Sequence, residues 1–265
     1  MLLVRSRRLR QLFGVFETAN FLSLKLLIKK RSALRQYPGM IFRDYMSLVG
    51  TDHWSSCSIF DAIPELCDKP RRITLEHLPG IGVSTPADEL LYLALITQVL
   101  APALVFEIGT FRGRTALNFA LNSPPDCKIL TLDLPPGCDD TPRMHASDAM
   151  LARERMVGVD YLGRDVSYKI QQLYGDSLEF DFTPYLDRVD LVFVDGAHDY
   201  RTARSDSENA LRIARAGGLV LWHDFANYGD YNDVTRAIFD CIDKSEIVQI
   251  ANTQLALYRK RSYEA

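Results

Sequence analysis

The chain has 265 residues, of which 47% are hydrophobic and 25% charged, so its composition excludes a globally disordered protein. The formal net charge of -3 hides a division, because residues 1–36 carry nine basic side chains and one acidic side chain while the rest of the chain is strongly acidic. An acidic body repels phosphates, which excludes a uniformly basic nucleic-acid-binding protein.

The basic N-terminal arm, residues 1–36, has apolar residues at three-to-four spacing with lysines and arginines between them, which predicts a helix. Three interpretations of this arm stay open. It lies on an anionic membrane surface, it packs on another subunit of a homo-oligomer, or it is partly disordered. Residues 37–84, rich in proline and glycine, are interpreted as a linker or cap, and residues 85–265 as the main domain.

A strong helix is predicted to follow, with Thr85 as its N-cap, Pro86 at its first position and an end near Pro102. Apolar strand-like runs then alternate with helical patterns. Strands are predicted at 103–108, 128–132, 167–171, 190–194, 218–222, 246–250 and 254–258. Helices are predicted at 114–122, 146–161, 177–186, 200–215 and 231–243.

This alternation predicts an α/β fold with a mostly parallel, doubly wound sheet of seven strands. Only a few residues around Asn252 join the last two strands, so the last strand is predicted to be antiparallel. Five scattered cysteines without a C-x-x-C motif favour a reducing, cytoplasmic compartment over a disulfide framework or a structural zinc site. No apolar run is long enough to predict a membrane-spanning helix.

A glycine-containing turn follows the first of these strands, in the sequence EIGTFRGRT. Gly109 and Gly113 permit a tight turn and a close approach of a ligand, although any strand-to-helix turn can carry glycines. Glu107 precedes the turn, where a carboxylate suits a ligand ammonium or hydroxyl group and opposes a pyrophosphate. Asp133, at the end of the next strand, is placed to hold ribose hydroxyls. Asp176 either accepts from an adenine amino group or caps a helix starting at Ser177.

Two further segments end neighbouring strands with titratable side chains. Asp195 and His198 belong to the sequence DGAH, and His223 and Asp224 belong to WHDF. Carboxylates and imidazoles gathered at adjacent strand ends can bind a metal ion, and imidazole is a suitable general base near neutral pH. The alternative is structural, with the aspartates capping helices and His223 packed under the sheet.

Together these residues resemble the class I S-adenosylmethionine-dependent methyltransferases over about residues 85–260. The resemblance implies a Rossmann-like fold, an S-adenosylmethionine cofactor and a methyltransferase activity. The implied cofactor-binding residues are Glu107, Gly109, Thr110, Gly113, Thr115, Asp133, Asp176 and Ser177.

The pairing of D-G-x-H with a later H-D-F is similar to the methyltransferase-24 type, which includes sugar and macrolide O-methyltransferases. By this resemblance Asp195 and Asp224 are ligands of a divalent ion such as Mg²⁺, and His198, with Asp195, is catalytic. Some relatives have two adjacent acids where this chain has Asp224-Phe225, so His223 is the candidate for the remaining ligand, although a nitrogen donor suits Mg²⁺ poorly.

The sequence therefore predicts an O-methyltransferase acting on a hydroxyl group of a small molecule, such as a sugar or a glycosylated natural product. Two alternatives remain. An NAD(P)-dependent oxidoreductase is weakened by the absence of G-x-G-x-x-G. A non-catalytic nucleotide-binding scaffold is weakened by the intact set of acidic residues and histidines.

Liposome flotation tests the membrane interpretation of the arm, which would place the protein at the inner face of the cytoplasmic membrane. If the arm binds anionic lipid, the full chain floats with anionic vesicles and a chain starting at residue 37 does not. Equal flotation of the two chains would argue for the other interpretations.

Overall fold

A computed structural model of the chain describes residues 54–78, 85–138, 156–226 and 231–261. The N-terminal arm and most of the predicted linker lie outside these residues. The strands are β1 (Ser55–Cys57), β2 (Leu104–Ile108), β3 (Lys128–Asp133), β4 (Ile170–Tyr174), β5 (Val189–Val194), β6 (Ala214–Trp222), β7 (Val248–Ile250) and β8 (Ala256–Arg259). The α-helices are α1 (Ile59–Ala62), α2 (Ala87–Leu100), α3 (Arg114–Asn122), α4 (Tyr200–Ile213) and α5 (Tyr231–Cys241).

All eight strands form one sheet in the order β1-β7-β8-β6-β5-β2-β3-β4. Strand β8 lies between β6 and β7 and is antiparallel to both, whereas every other pairing is parallel. The predicted parallel α/β sheet with an antiparallel last strand is therefore confirmed. The strand order reverses beside β2, so the carboxyl ends of β2 and β5 border the crevice where ligands bind in folds of this kind.

The helices cover both faces of the sheet because alternate strand residues point to opposite sides. On one face, Val105, Leu191 and Leu219 belong to a buried cluster with residues of α1, α2 and α3. On the other face, Val192 and Val220 pack with residues of α4 and α5. This three-layer arrangement leaves the strand ends as the place where polar side chains can meet.

Helix α3 occupies the predicted range, and the helix that follows Pro86 begins one residue later than expected, with Pro86 itself as N-cap. The predicted strand 167–171 is shifted, because residues 167–169 form a 3₁₀ turn before β4. In this turn Lys169 is buried, and its Nζ donates to the carbonyl oxygens of Ala120 and Ser123 at the end of α3.

Two helix predictions are wrong in the described residues. Residues 177–186 contain turns and a single short 3₁₀ segment, because Phe180, Phe182 and Tyr185 turn inward and pack around Phe106. The end of the predicted helix 146–161 forms turns from residue 157 onward. Its earlier part lies outside the described residues.

The sheet has one strand more than predicted, because β1 pairs in parallel with β7 at the sheet edge. Trp54, just before β1, donates from Nε1 to Oε1 of Gln249 and packs on Phe225 and Phe239. Residues from Trp54 onward belong to the same compact unit as the sheet, so the described part of the predicted cap is part of the main domain. Within the described residues, no helix has the length and apolar character needed to cross a bilayer.

Helix α4 buries an acidic side chain, Asp206, against the sheet at 1% exposure. Among the described residues, neither of its carboxylate oxygens has a hydrogen bond of good geometry. Burial raises the pKa of Asp206 to about 7, an effect that the Ser177 hydroxyl opposes and the nearby Asp176 and Asp199 reinforce. Ionised Asp206 is therefore unfavourable in the folded protein.

Asp206 should make the protein less stable as pH rises. The folded state keeps the proton that the unfolded chain releases near pH 4, so its stabilising contribution is lost as pH rises toward 7. Between pH 5 and pH 8 we expect this group to lower the free energy of unfolding by about 2–3 kcal/mol. Urea unfolding at both pH values should show that Asp206→Asn removes this loss, whereas Asp165→Asn, at an exposed position, leaves it in place.

Candidate active site

The turn after β2 lies directly against the end of β5. Gly109 has φ +101°, and a Cβ atom there would lie 1.9 Å from the carbonyl oxygen of Asp195. The Asp195 N–H donates to the carbonyl oxygen of Ile108 at 2.8 Å, which fixes the two strand ends together. Gly109 is therefore required by contact with the protein backbone, a reason that the sequence alone does not reveal.

The rest of the turn is held by a chain of polar contacts. At Gly113, φ is +81° and a Cβ atom would lie 2.5 Å from the ring of Tyr161. The Tyr161 hydroxyl donates to Oε1 of Gln172, and Nε2 of Gln172 donates to the Thr110 hydroxyl, at 2.7 and 2.9 Å. Thr110 is thus a support of the turn, and Thr115 lies nearly buried in the first turn of α3.

Glu107 is buried at 1% exposure in β2. The Thr131 hydroxyl donates to its Oε2 at 2.5 Å. Burial raises the pKa of Glu107 well above its ordinary value; the hydrogen bond from Thr131 lowers it, and the negative charges of Asp195 and Asp133 raise it further. The three acidic residues are therefore close enough to interact electrostatically.

Asp133 contacts the glycine turn itself. Its Oδ2 accepts from the backbone N–H groups of Thr110 and Phe111 at 3.2 and 2.8 Å, and its Oδ1 accepts from the N–H of Leu134 at 2.7 Å. The structure therefore gives Asp133 a role in shaping the turn, and contact with ribose hydroxyls stays a prediction.

Asp176 follows β4 and shapes a turn. Its Oδ1 accepts from the N–H of Leu178 at 3.0 Å, and its carbonyl oxygen accepts from Glu179 and Phe180. Asp176 therefore acts as a cap, which was the structural alternative, but it caps a turn and not the predicted helix. Ser177 interacts with Asp206, and a role of either residue toward adenine stays a prediction.

The predicted cluster at the ends of β5 and β6 is present. One ligand-type atom from each of Asp195, His223 and Asp224 lies within 4.8 Å of the others. Nδ1 of His223 lies 2.9 Å from Oδ2 of Asp224 and 3.2 Å from Oδ1 of Asp195. The sequence thus correctly predicted that these three residues meet.

Glu89 is a member of this cluster that the sequence analysis missed, because acidic residues in a first helical turn are ordinarily exposed. It is only 2% exposed, its Oε2 lies 2.8 Å from Nε2 of His223, and its Oε1 accepts from the N–H of Gln254 at 2.7 Å. The sequence contains one indication that Glu89 is buried. It lies at helical spacing from Leu93 and Thr97, and the three residues share the buried face of α2.

His198 also joins this network. Its Nε2 lies 2.8 Å from Oδ2 of Asp224, the same oxygen that faces His223. Hydrogen bonds from the two histidines outweigh the effect of burial and lower the pKa of Asp224, which keeps it ionised. An ionised carboxylate only accepts, so Nε2 of His198 carries a proton and Nδ1 is the basic nitrogen of the neutral ring.

His223 is held between carboxylates on both sides. Burial alone would lower the pKa of His223, but the charge of Asp195 and the hydrogen bonds to Asp195, Asp224 and Glu89 raise it well above its ordinary value. The carboxylates on both sides of His223 therefore favour the positively charged form of the ring.

Within the part of the chain that the structure describes, this arrangement does not fit a divalent metal ion. His223 offers no nitrogen lone pair, since both ring nitrogens face carboxylates. The next position, Phe225, is fully buried between Trp54 and Phe239, with ring centroids 5.3 and 5.6 Å away. Of the two aspartates, Asp224 already accepts from two histidines through the same oxygen, Oδ2.

Comparison with known proteins finds a family sequence model of the methyltransferase-24 type, described as a methyltransferase domain, that matches residues 106–225. A putative caffeoyl-CoA O-methyltransferase of Arabidopsis thaliana is 25% identical over 171 residues, covering 61% of this chain and 66% of the relative. Caffeoyl-CoA O-methyltransferase 1 of Eucalyptus globulus is 34% identical over 186 residues, covering 64% and 66%.

Among solved structures, the SAH-bound methyltransferase PaMTH1 of Podospora anserina matches with a TM-score of 0.50 at 14% identity, covering 68% of this chain and 80% of that one, which supports the fold. The chain spans from 31% to 66% of the length of the first curated relatives it matches. The matched segment begins in β2 and ends at Phe225, so it contains the glycine turn, the DGAH segment and the WHDF segment. The chain therefore contains a methyltransferase domain of the class I S-adenosylmethionine-dependent family.

Proposed function

We propose that this protein is an S-adenosylmethionine-dependent O-methyltransferase that acts on a hydroxyl group of a small molecule. The observation that carries the proposal is the contact between Gly109 and Asp195, which brings the predicted cofactor turn against the strand end that leads to His198. A base beside the cofactor is what transfer to a hydroxyl group requires.

The chemistry of the turn fits this cofactor better than a dinucleotide. Asp133 and Asp195 create a negative potential at the strand ends, which is supported by the further rise that their charges cause in the pKa of the buried Glu107. Such a potential attracts the ammonium and sulfonium groups of S-adenosylmethionine and repels a pyrophosphate. The NAD(P)-dependent alternative is therefore disfavoured by charge as well as by sequence.

His198 is the proposed general base. When bound, S-adenosylmethionine supplies an electrophilic methyl group on a sulfonium sulfur. Asp224 holds Nε2 of His198 at 2.8 Å and so orients the ring with Nδ1 as the proton acceptor for the substrate hydroxyl. The base is thereby held in one orientation, and such positioning of reacting groups is a major source of rate acceleration.

The acceptor is proposed only by class. A sugar or glycosylated natural product follows from the original family resemblance, and a caffeoyl-CoA-like phenol follows from the names of the curated relatives. The family resemblance implies that a divalent metal ion bound by Asp195 and Asp224 assists the reaction. The hydrogen bonds of His223 argue against a metal ion in this place.

Calorimetric titration tests the cofactor. We expect S-adenosylmethionine to bind and NAD to give no heat of binding, because only the former matches the acidic turn. Binding of NAD with no response to S-adenosylmethionine would contradict the proposal and support the oxidoreductase alternative. Binding of both without methyl transfer to any phenol or sugar in an acceptor panel would favour a scaffold function.

Replacement of the base tests the mechanism. His198→Gln keeps a polar group that can donate to Asp224 but cannot accept the proton, so kcat should fall at least ~10²-fold. The dissociation constant for S-adenosylmethionine and the melting temperature should stay close to those of the unaltered protein. Full turnover in His198→Gln would remove this residue from the mechanism.

A further inference from the structure

Three carboxylates from distant parts of the chain converge on a single imidazole ring. Glu89 comes from the first turn of α2, Asp195 follows β5, and Asp224 follows β6. The side chains of Glu89 and Asp224 are 3% and 13% exposed, so water screens their charges little. Negative charges gathered in this way require a compensating cation at close range.

His223 meets that requirement by geometry. Its Nε2 is 2.8 Å from Glu89, and its Nδ1 is 2.9 Å from Asp224 and 3.2 Å from Asp195. If the three carboxylates are ionised, they have no proton to donate; both ring nitrogens then donate and the ring is an imidazolium ion. Oε1 of Glu89 accepts from the N–H of Gln254, so both oxygens of this carboxylate have a hydrogen-bond partner.

The same contacts leave no place for a second cation. Oδ2 of Asp224 accepts from His223 and from His198, so a metal ion there would have to displace two charge-assisted hydrogen bonds. The following residue, Phe225, is committed to the apolar core, and its N–H donates to the carbonyl oxygen of Gln254. The His223 N–H donates to the carbonyl oxygen of Val194, so the backbone is anchored on both sides of Asp224.

We propose that the ring of His223, held by Glu89, is the permanent cation of this site and that the protein transfers methyl groups without a divalent metal ion. The proposal rests on the methyltransferase function proposed above. Glu89 is a positioning residue: it holds His223, which holds Asp224, which in turn orients His198. This has a consequence for the substrate. An acceptor that does not have to chelate a metal ion needs only one hydroxyl group and no vicinal pair of oxygens.

Metal binding and the ring's protonation are measured first, and neither depends on turnover. Mn²⁺ titration of the full chain followed by electron paramagnetic resonance should show no bound ion. In protein labelled with ¹⁵N-histidine at neutral pH, both ring nitrogens of His223 should carry protons, with the signals assigned by their loss in His223→Gln. Bound Mn²⁺, or a His223 ring with an unprotonated nitrogen, would overturn the inference.

Two variants sharpen the test. Glu89→Gln should lower kcat roughly 10–100-fold, the range typical for loss of an outer partner that orients a reacting group, with little change in KM. The same variant should alter the ¹⁵N signals of His223. The matched control is Asp88→Asn, at the exposed neighbouring position of the same helical turn, which should change neither. His223→Gln leaves the three carboxylates without their cation, so this variant should gain the Mn²⁺ binding that the unaltered protein lacks.

Activity then separates this inference from the function on which it rests. Methyl transfer that persists after EDTA treatment supports both. Transfer that EDTA abolishes and Mg²⁺ restores would overturn the metal-free mechanism and leave the methyltransferase function standing. If no acceptor is methylated with or without metal, the proposed function fails, while the Mn²⁺ and ¹⁵N measurements still decide whether His223 is the cation.

Discussion

The contact between the ends of β2 and β5 is the constraint on which the candidate site depends. Gly109 can lie against the Asp195 carbonyl only because it has no side chain. That approach joins the turn shaped by Asp133 to the strand end that carries the candidate catalytic residues. Any larger residue would have to push the two strand ends apart. Gly109 is thus needed for the contact between the ends of β2 and β5 as much as for the approach of a ligand.

Asp224 is the point at which the structural and chemical parts of the site meet. Its backbone has φ +56°, a left-handed conformation that costs about 1–3 kcal/mol for a residue other than glycine. Contacts on both sides offset this cost. The carboxylate accepts from two histidines, and the adjacent Phe225 is buried among aromatic rings. Strain at a residue of this kind is typical of functional sites, where surrounding structure fixes a geometry that the local chain does not favour.

The sequence predicted the parts of the fold that have regular periodicity. Helix α3 and the central strands were found because their apolar residues recur with the period of the element they form. The helix expected at 177–186 failed because its aromatic residues pack inward around Phe106, a tertiary effect that overrides local pattern. Strand β1 was missed because three residues, Ser55–Cys57, carry no period at all.

The site was predicted to a similar extent and for a similar reason. Strand ends in a parallel sheet meet at one edge, so Asp195, His223 and Asp224 could be brought together from sequence. The hydrogen-bond partners of the His223 ring nitrogens could not be predicted from the sequence, because Glu89 lies 134 positions away along the chain. Whether a histidine acts as a metal ligand or as a cation depends on that partner, and so the chemistry of the cluster becomes visible only in three dimensions.

Trp54 connects the candidate site to the edge of the sheet formed by β1. It is anchored by Gln249 and packs on Phe225, the residue next to Asp224. A chain shortened to begin at residue 85 would lose both this tryptophan and β1, and it would expose the backbone edge of β7 to pairing with other chains. The contacts that support Phe225 and the sheet edge therefore begin at Trp54, well before the segment that the family likeness covers.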